Sequence, residues 1–162
     1  MRHLRKSSLS HPLSATIDGY EGYESADVAP KTNQVFLEEL SERISELEGF
    51  EKRLRRTCEE IDDHGATLFL DRIREKLTVI RNEIAKATSI AGCQCLCVDG
   101  MDEELEAIDE KIVEKFGSIN QALALIDLEG GMGLEQADLE GVLELLDDVN
   151  DLLYRRTMLL SG

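Results

Sequence analysis

The stretch ATLFLDRIREKLTVIRNEIAKATSIA, residues 66–91, decides how this chain is read. Ala66, Leu70, Ile73, Leu77, Ile80, Ile84, Ala87 and Ala91 recur at alternating spacings of four and three, and all are apolar. A helix turns once in about 3.6 residues, so this rhythm draws a narrow apolar seam along one side. Such a seam is stable only when another helix covers it. Immediately upstream, Leu37, Leu40, Ile44, Leu47, Leu54, Cys58 and Ile61 keep the same rhythm, with Glu51 as the one charged member. The two seams differ in phase. Continuing the first register would bring Gly65 and Leu68 into the stripe, whereas the second uses Ala66 and Leu70. A tight turn at Asp62-Asp63-His64-Gly65 between two antiparallel helices explains the shift, with Gly65 as a natural residue just past a helix end.

The composition agrees with a helical core built from aliphatic side chains. Of 162 residues, 42% are hydrophobic but only 4% are aromatic, and tryptophan is absent. No run of 18 apolar residues occurs, so no transmembrane helix is expected. The formal charge is −16, and it is unevenly placed. Residues 1–33 balance four basic against four acidic side chains; residues 34–91 carry 10 and 13; residues 92–162 carry 4 and 17. The last segment repels nucleic acid and anionic membranes. It suits a basic partner, a cation or simple solubility.

Along the chain, residues 1–32 read as a flexible tail. They hold both prolines, five serines and two glycines, with no period. The first 17 residues are basic, Ser-rich and free of acids, a composition shared by ordinary termini and by organelle-targeting or export leaders. The first helix is expected from about Asn33 to Asp62, capped by Thr32 or Asn33, and the second from about Ala66 to Ala91. Glu39 with Arg43, Glu48 with Lys52 and Glu51 with Arg55 are spaced for intrahelical ion pairs. A third helix starts at Asp99 or Asp102 and is expected to break or kink at Gly117-Ser118. A short helical run from Ile119 to Leu128 follows it. A last helix runs from about Glu135 to Met158, with Leu139, Val142, Leu146, Val149 and Leu153 on one face. The fold expected is all-α: a helical bundle or coiled-coil hairpin of four to five helices. Residues 33–91 form the hairpin and the acidic region 92–162 packs on it or on a partner.

Two constellations could carry chemistry. Cys93, Cys95 and Cys97 lie one residue apart, without the paired spacing or the fourth ligand of a zinc site. The stretch around Asp127 resembles an EF-hand over some 25 residues. With Asp127 as loop position 1, Glu129, Glu135 and Asp138 fall at positions 3, 9 and 12. Met132 stands where the turn glycine belongs, however, and Gly131 where a ligand belongs. No nucleophile elbow, phosphate-binding loop or His-Glu-x-x-His pattern is present. Paired Glu-x-x-His sites of a di-iron bundle are also missing.

The function expected is therefore non-enzymatic: a scaffold, adaptor or chaperone-like subunit without a cofactor. It would bind a basic or helical protein partner, or a second copy, through the seam of Leu37, Leu40, Ile44, Leu47, Leu54, Leu70, Ile73, Leu77, Ile80 and Ile84. Glu51 and the flanking charges would set the register. The alternative is a metal-responsive switch using the cysteine triplet or Asp127, Glu129 and Asp138. The cysteine spacing is no disulfide framework, so a cytoplasmic protein is the expectation.

Overall fold

The computed structural model describes residues 12–91, 100–128 and 136–161. Among these residues there are four long helices and no strands. The helices are α1 (Ala29–Glu60), α2 (His64–Ala91), α3 (Asp102–Leu128) and α4 (Gln136–Ser161). Around the bundle the order is α1, α2, α4, α3. Cross-helix pairs fix the directions. Arg55 meets Asp71 and Arg81 meets Glu48, so α1 and α2 are antiparallel. Lys115 meets Asp148 and Arg156 meets Asp109, so α3 and α4 are antiparallel as well. Lys76 pairs with Asp147 at matching depths of α2 and α4, which run parallel. No helix among the described residues is long and apolar enough to cross a membrane.

The turn between α1 and α2 is built without its glycine. Asp62 itself takes the left-handed conformation, at φ 60°. Its N–H donates to the Glu59 carbonyl at 3.3 Å and the Asp63 N–H donates to the Cys58 carbonyl at 2.9 Å. This is the double hydrogen bond that closes a helix end. Asp63 then caps α2 by accepting from the Ala66 N–H at 3.1 Å. Asp and Asn tolerate this backbone region better than most residues, so Gly65 is free to lie inside α2. Because α1 has ended, Ile61 falls off the seam and is 51% exposed.

Three other expectations are corrected. First, α3 runs unbroken through Gly117 and Ser118. Leu105, Ile108, Ile112, Phe116, Ile119, Leu123 and Ile126 form one buried face on both sides of the glycine, and that burial outweighs the roughly 1 kcal/mol a helical glycine costs. Second, α1 begins one turn earlier than Asn33. Pro30 occupies its first turn, where a missing N–H is harmless. Thr32 and Asn33 are buried inside the helix rather than capping it. Third, the tail is packed from residue 12 onward. Pro12–Ala15 form a short 3-10 turn, and Leu13, Ile17, Tyr20 and Tyr23 belong to the core. This strap, residues 12–28, contains no α-helix among its elements. It packs through four apolar anchors spaced four, three and three apart.

The ten seam residues are all buried within this one chain. Except for Leu37, they join the strap, α3 and α4 in a single core. Of the intrahelical pairs, Arg43–Glu39 and Arg55–Glu51 form, whereas Glu48 turns across to Arg81 on α2.

Two substitutions test this description. An added Cβ at Gly117 meets nothing within 4 Å, so Gly117→Ala should raise the unfolding free energy by about 1 kcal/mol in a denaturant titration. Ile17→Ala should lower it by about 2–5 kcal/mol, the usual range for a buried isoleucine. A flexible tail would show no change.

Candidate functional site: a buried tyrosine–aspartate–arginine node

One end of the bundle holds a cluster of ionisable groups sealed from solvent. Asp109 of α3 is 0% exposed and Arg156 of α4 is 2% exposed. The Arg156 Nε donates to Asp109 Oδ1 at 2.7 Å. The other carboxylate oxygen, Oδ2, accepts from both strap hydroxyls, Tyr20 at 2.9 Å and Tyr23 at 2.5 Å. Arg156 Nη2 donates in turn to the Tyr23 hydroxyl oxygen at 2.7 Å. The guanidinium carbon lies 4.7 Å from the centre of the Phe36 ring on α1. Tyr20 packs edge-on against Tyr23 and Phe36. Five side chains from the strap and three helices thus meet at one point.

The electrostatics follow from burial. Leaving water disfavours the phenolates, and the adjacent Asp109 charge adds to this, so both tyrosines are held well above their ordinary pKa of 10.0. Burial by itself would lower the Arg156 pKa. The Asp109 charge and the Tyr23 hydrogen bond more than offset it, and the guanidinium is held more firmly protonated than usual. The node is therefore a closed ion pair with neutral tyrosines as donors. Neither the tyrosines nor Arg156 is poised to exchange a proton near neutral pH, and all four polar side chains are at most 2% exposed.

The strap is fixed by backbone contacts as well. The Tyr23 N–H donates to Glu106 Oε1 at 3.1 Å, and the Glu21 N–H donates to Thr32 Oγ1 at 3.2 Å. Gly19 and Gly22 both have positive φ. The positive φ of Gly22 favours glycine there, and a Cβ at this position would stand 2.5 Å from Glu106 Oε1, so the end of that side chain would have to shift.

A second polar layer lies farther along α1. Glu51, the charged member of the first seam, is buried at 2% exposure. Its Oε1 accepts from Arg55 Nε and Nη2 at 2.9 and 2.6 Å, and Arg74 Nε lies 3.4 Å away. Arg55 also reaches Asp71 at 2.7 Å. Glu51 finds its counter-charges within this chain, on its own helix and on α2.

The ten seam residues are brought together, but as the interior of this bundle. They are not a free surface for a partner, because α3 and α4 already cover them. The metal candidates are not assembled among the described residues. Asp138 is exposed in the first turn of α4, and Asp127 falls in the last turn of α3. Glu129, Cys93, Cys95 and Cys97 lie outside the described residues. No three His, Cys, Asp or Glu side chains among the described residues cluster as metal ligands. No protein-family model, curated protein or solved structure matches the chain.

Sequence reasoning missed all four polar members of the node, although signals were present. Arg156 continues the rhythm of Leu146, Val149 and Leu153 by a further three. Asp109 sits between Leu105 and Ile112 at spacings of four and three. The tyrosines fall in a tandem Gly-Tyr-Glu-Gly-Tyr-Glu, residues 19–24.

Arg156→Met should cost about 3–5 kcal/mol, because it leaves a buried carboxylate without its counter-charge. Adding Asp109→Leu to that variant should restore much of the loss, measured by urea unfolding. Alkali should act through the tyrosines. Their folded pKa is raised, so the folded state holds protons that the unfolded chain releases above about pH 10. Stability is therefore full below pH 10 and falls as the pH rises beyond it. The fall should be steeper for the wild-type chain than for Tyr20→Phe/Tyr23→Phe.

Proposed function

We propose that this chain is a non-enzymatic protein–protein interaction module, a scaffold, adaptor or chaperone-like subunit of a larger assembly, acting in the cytoplasm. The observation that carries this reading is the division between inside and outside. Among the described residues, the cluster of strongly perturbed ionisable groups is sealed at 0–2% exposure, while apolar side chains stand open on the helix surfaces. Leu68 is 66% exposed and Val79 is 49% exposed. They share an outward stripe of α2 with Arg72, Glu75, Asn82 and Lys86, again spaced four and three apart. That stripe lies opposite the buried seam.

Val79 sits in an open cleft between α2 and α4, lined also by Arg72, Lys76, Leu146, Asp147 and Asn150. An apolar floor with charges of both signs at its rim fits an amphipathic helix of a partner protein. The charge distribution gives α2 a distinct character. It carries five basic and three acidic residues, whereas α3 carries two and eight. A free, buried Cys58 thiol is consistent with a reducing compartment.

A photo-crosslinking residue placed at position 79 should give a discrete adduct in native cells, and one at Glu103 on α3 should not give the same adduct. Adding Arg72→Glu should abolish the adduct at position 79 while leaving the thermal melt unchanged. Identical adducts from both positions would refute the reading.

A further inference from the structure

We propose that the end of the bundle between α1, α3 and α4 is a peptide-binding site. Residues 12–23 fill it in cis, and the occupant in trans is the same segment of a second copy of the chain. This inference is independent of the α2/α4 cleft, since it uses none of the same residues.

The strap behaves as a tethered ligand. It enters no helix of the bundle. Hydrogen bonds tie its hydroxyls and N–H groups to side chains of the helices: Tyr20 and Tyr23 donate to Asp109, Tyr23 N–H to Glu106 and Glu21 N–H to Thr32, while the Tyr23 hydroxyl accepts from Arg156 of α4. The receiving groups are carried by α1 and α3, whose contact, like that of α3 with α4, is helix on helix. The site has the features of specific recognition. It has a hydroxyl-reading carboxylate fixed by Arg156, an aromatic wall at Phe36, and an acceptor at Glu106 for the Tyr23 N–H, reached by a backbone whose positive φ at position 22 favours glycine. It therefore selects a Gly-Tyr-Glu-Gly-Tyr segment.

The link to α1 is what makes exchange feasible. Glu24, Ser25, Ala26 and Asp27 are all exposed, and their N–H and C=O groups make local turn contacts such as Val28 N–H to the Ser25 carbonyl at 3.1 Å. A second copy supplies an identical segment, so every cis contact is available in trans, and a strained or shortened hinge favours the exchanged form. Four residues span at most about 14 Å when extended, so removing three of them denies the strap its own site.

Two measurements test this. Deleting Ser25, Ala26 and Asp27 from the full chain should convert it to a dimer by mass, and an excess of synthetic peptide 12–28 should dissociate that dimer. A monomer, or a dimer indifferent to the peptide, overturns the proposal. Independently, the fluorescent peptide should bind the full chain, with Gly22→Ala in the chain tightening its apparent affinity about 10-fold. That variant strains only the resident strap and raises the open fraction. A peptide carrying both Tyr→Phe changes should bind at least about 10-fold more weakly, through loss of two hydroxyls on a buried carboxylate. Absence of binding, or equal binding of the two peptides, overturns the proposal. Should the shortened chain fail to fold, the peptide measurement decides alone.

Discussion

A carboxylate with no access to water must find a counter-charge and donors for its oxygens, and Asp109 imposes that requirement on the whole lower end of this bundle. Arg156 supplies the charge but engages Oδ1. The helices leave Oδ2 to Tyr20 and Tyr23, both of which come from outside the four-helix core. The strap's position, the two positive-φ glycines and the burial of Phe36 beneath the guanidinium all follow from satisfying one buried pair. A hydrophobic replacement of the pair would ask for none of them.

The polar layers also discriminate between packings. Leu, Ile and Val seams are nearly interchangeable, and a seam slipped by one heptad buries almost the same area. Glu51 with Arg55 and Arg74, and Asp109 with Arg156, have no such freedom, because any slip leaves a charge buried alone. One layer is shared by α1 and α2, the other by α3, α4 and the strap. Each therefore fixes the register of one hairpin. The surface pairs Lys76–Asp147 and Lys115–Asp148 add little energy, but they sit where the two hairpins and the two halves of the second hairpin meet.

The helical class and the α1–α2 hairpin were legible because a 4-3 rhythm has one physical meaning over seven turns. The seam residues from Leu37 to Ile84 are buried as the rhythm requires, except Ile61, which the turn carries out to solvent. What the rhythm cannot say is whose helix covers it; here the same chain does. Gly117 misled because glycine weakens a helix locally, while Phe116 and Ile119 hold it through packing that propensity does not see. The strap was illegible for a different reason. Tyr20 and Tyr23 act through hydrogen bonds with residues 86 to 133 positions away, which no local pattern reveals. Charged residues at seam positions carry the same signal in all three places: Glu51, Asp109 and Arg156 each interrupt an apolar stripe and each is buried in a paired site.

The node also has a history in time. Tyr23 and Arg156 are separated by 133 positions. At about 5–20 residues per second of synthesis, the strap's tyrosines leave the ribosome roughly 7–27 s before the guanidinium that completes their environment. Asp109 emerges in between, without its counter-charge. Helices α1 and α2 can form their hairpin in that interval, since their contacts are local. The end of the bundle that the strap closes must wait for the last helix, so its order of assembly is set by the distance along the chain between two charges.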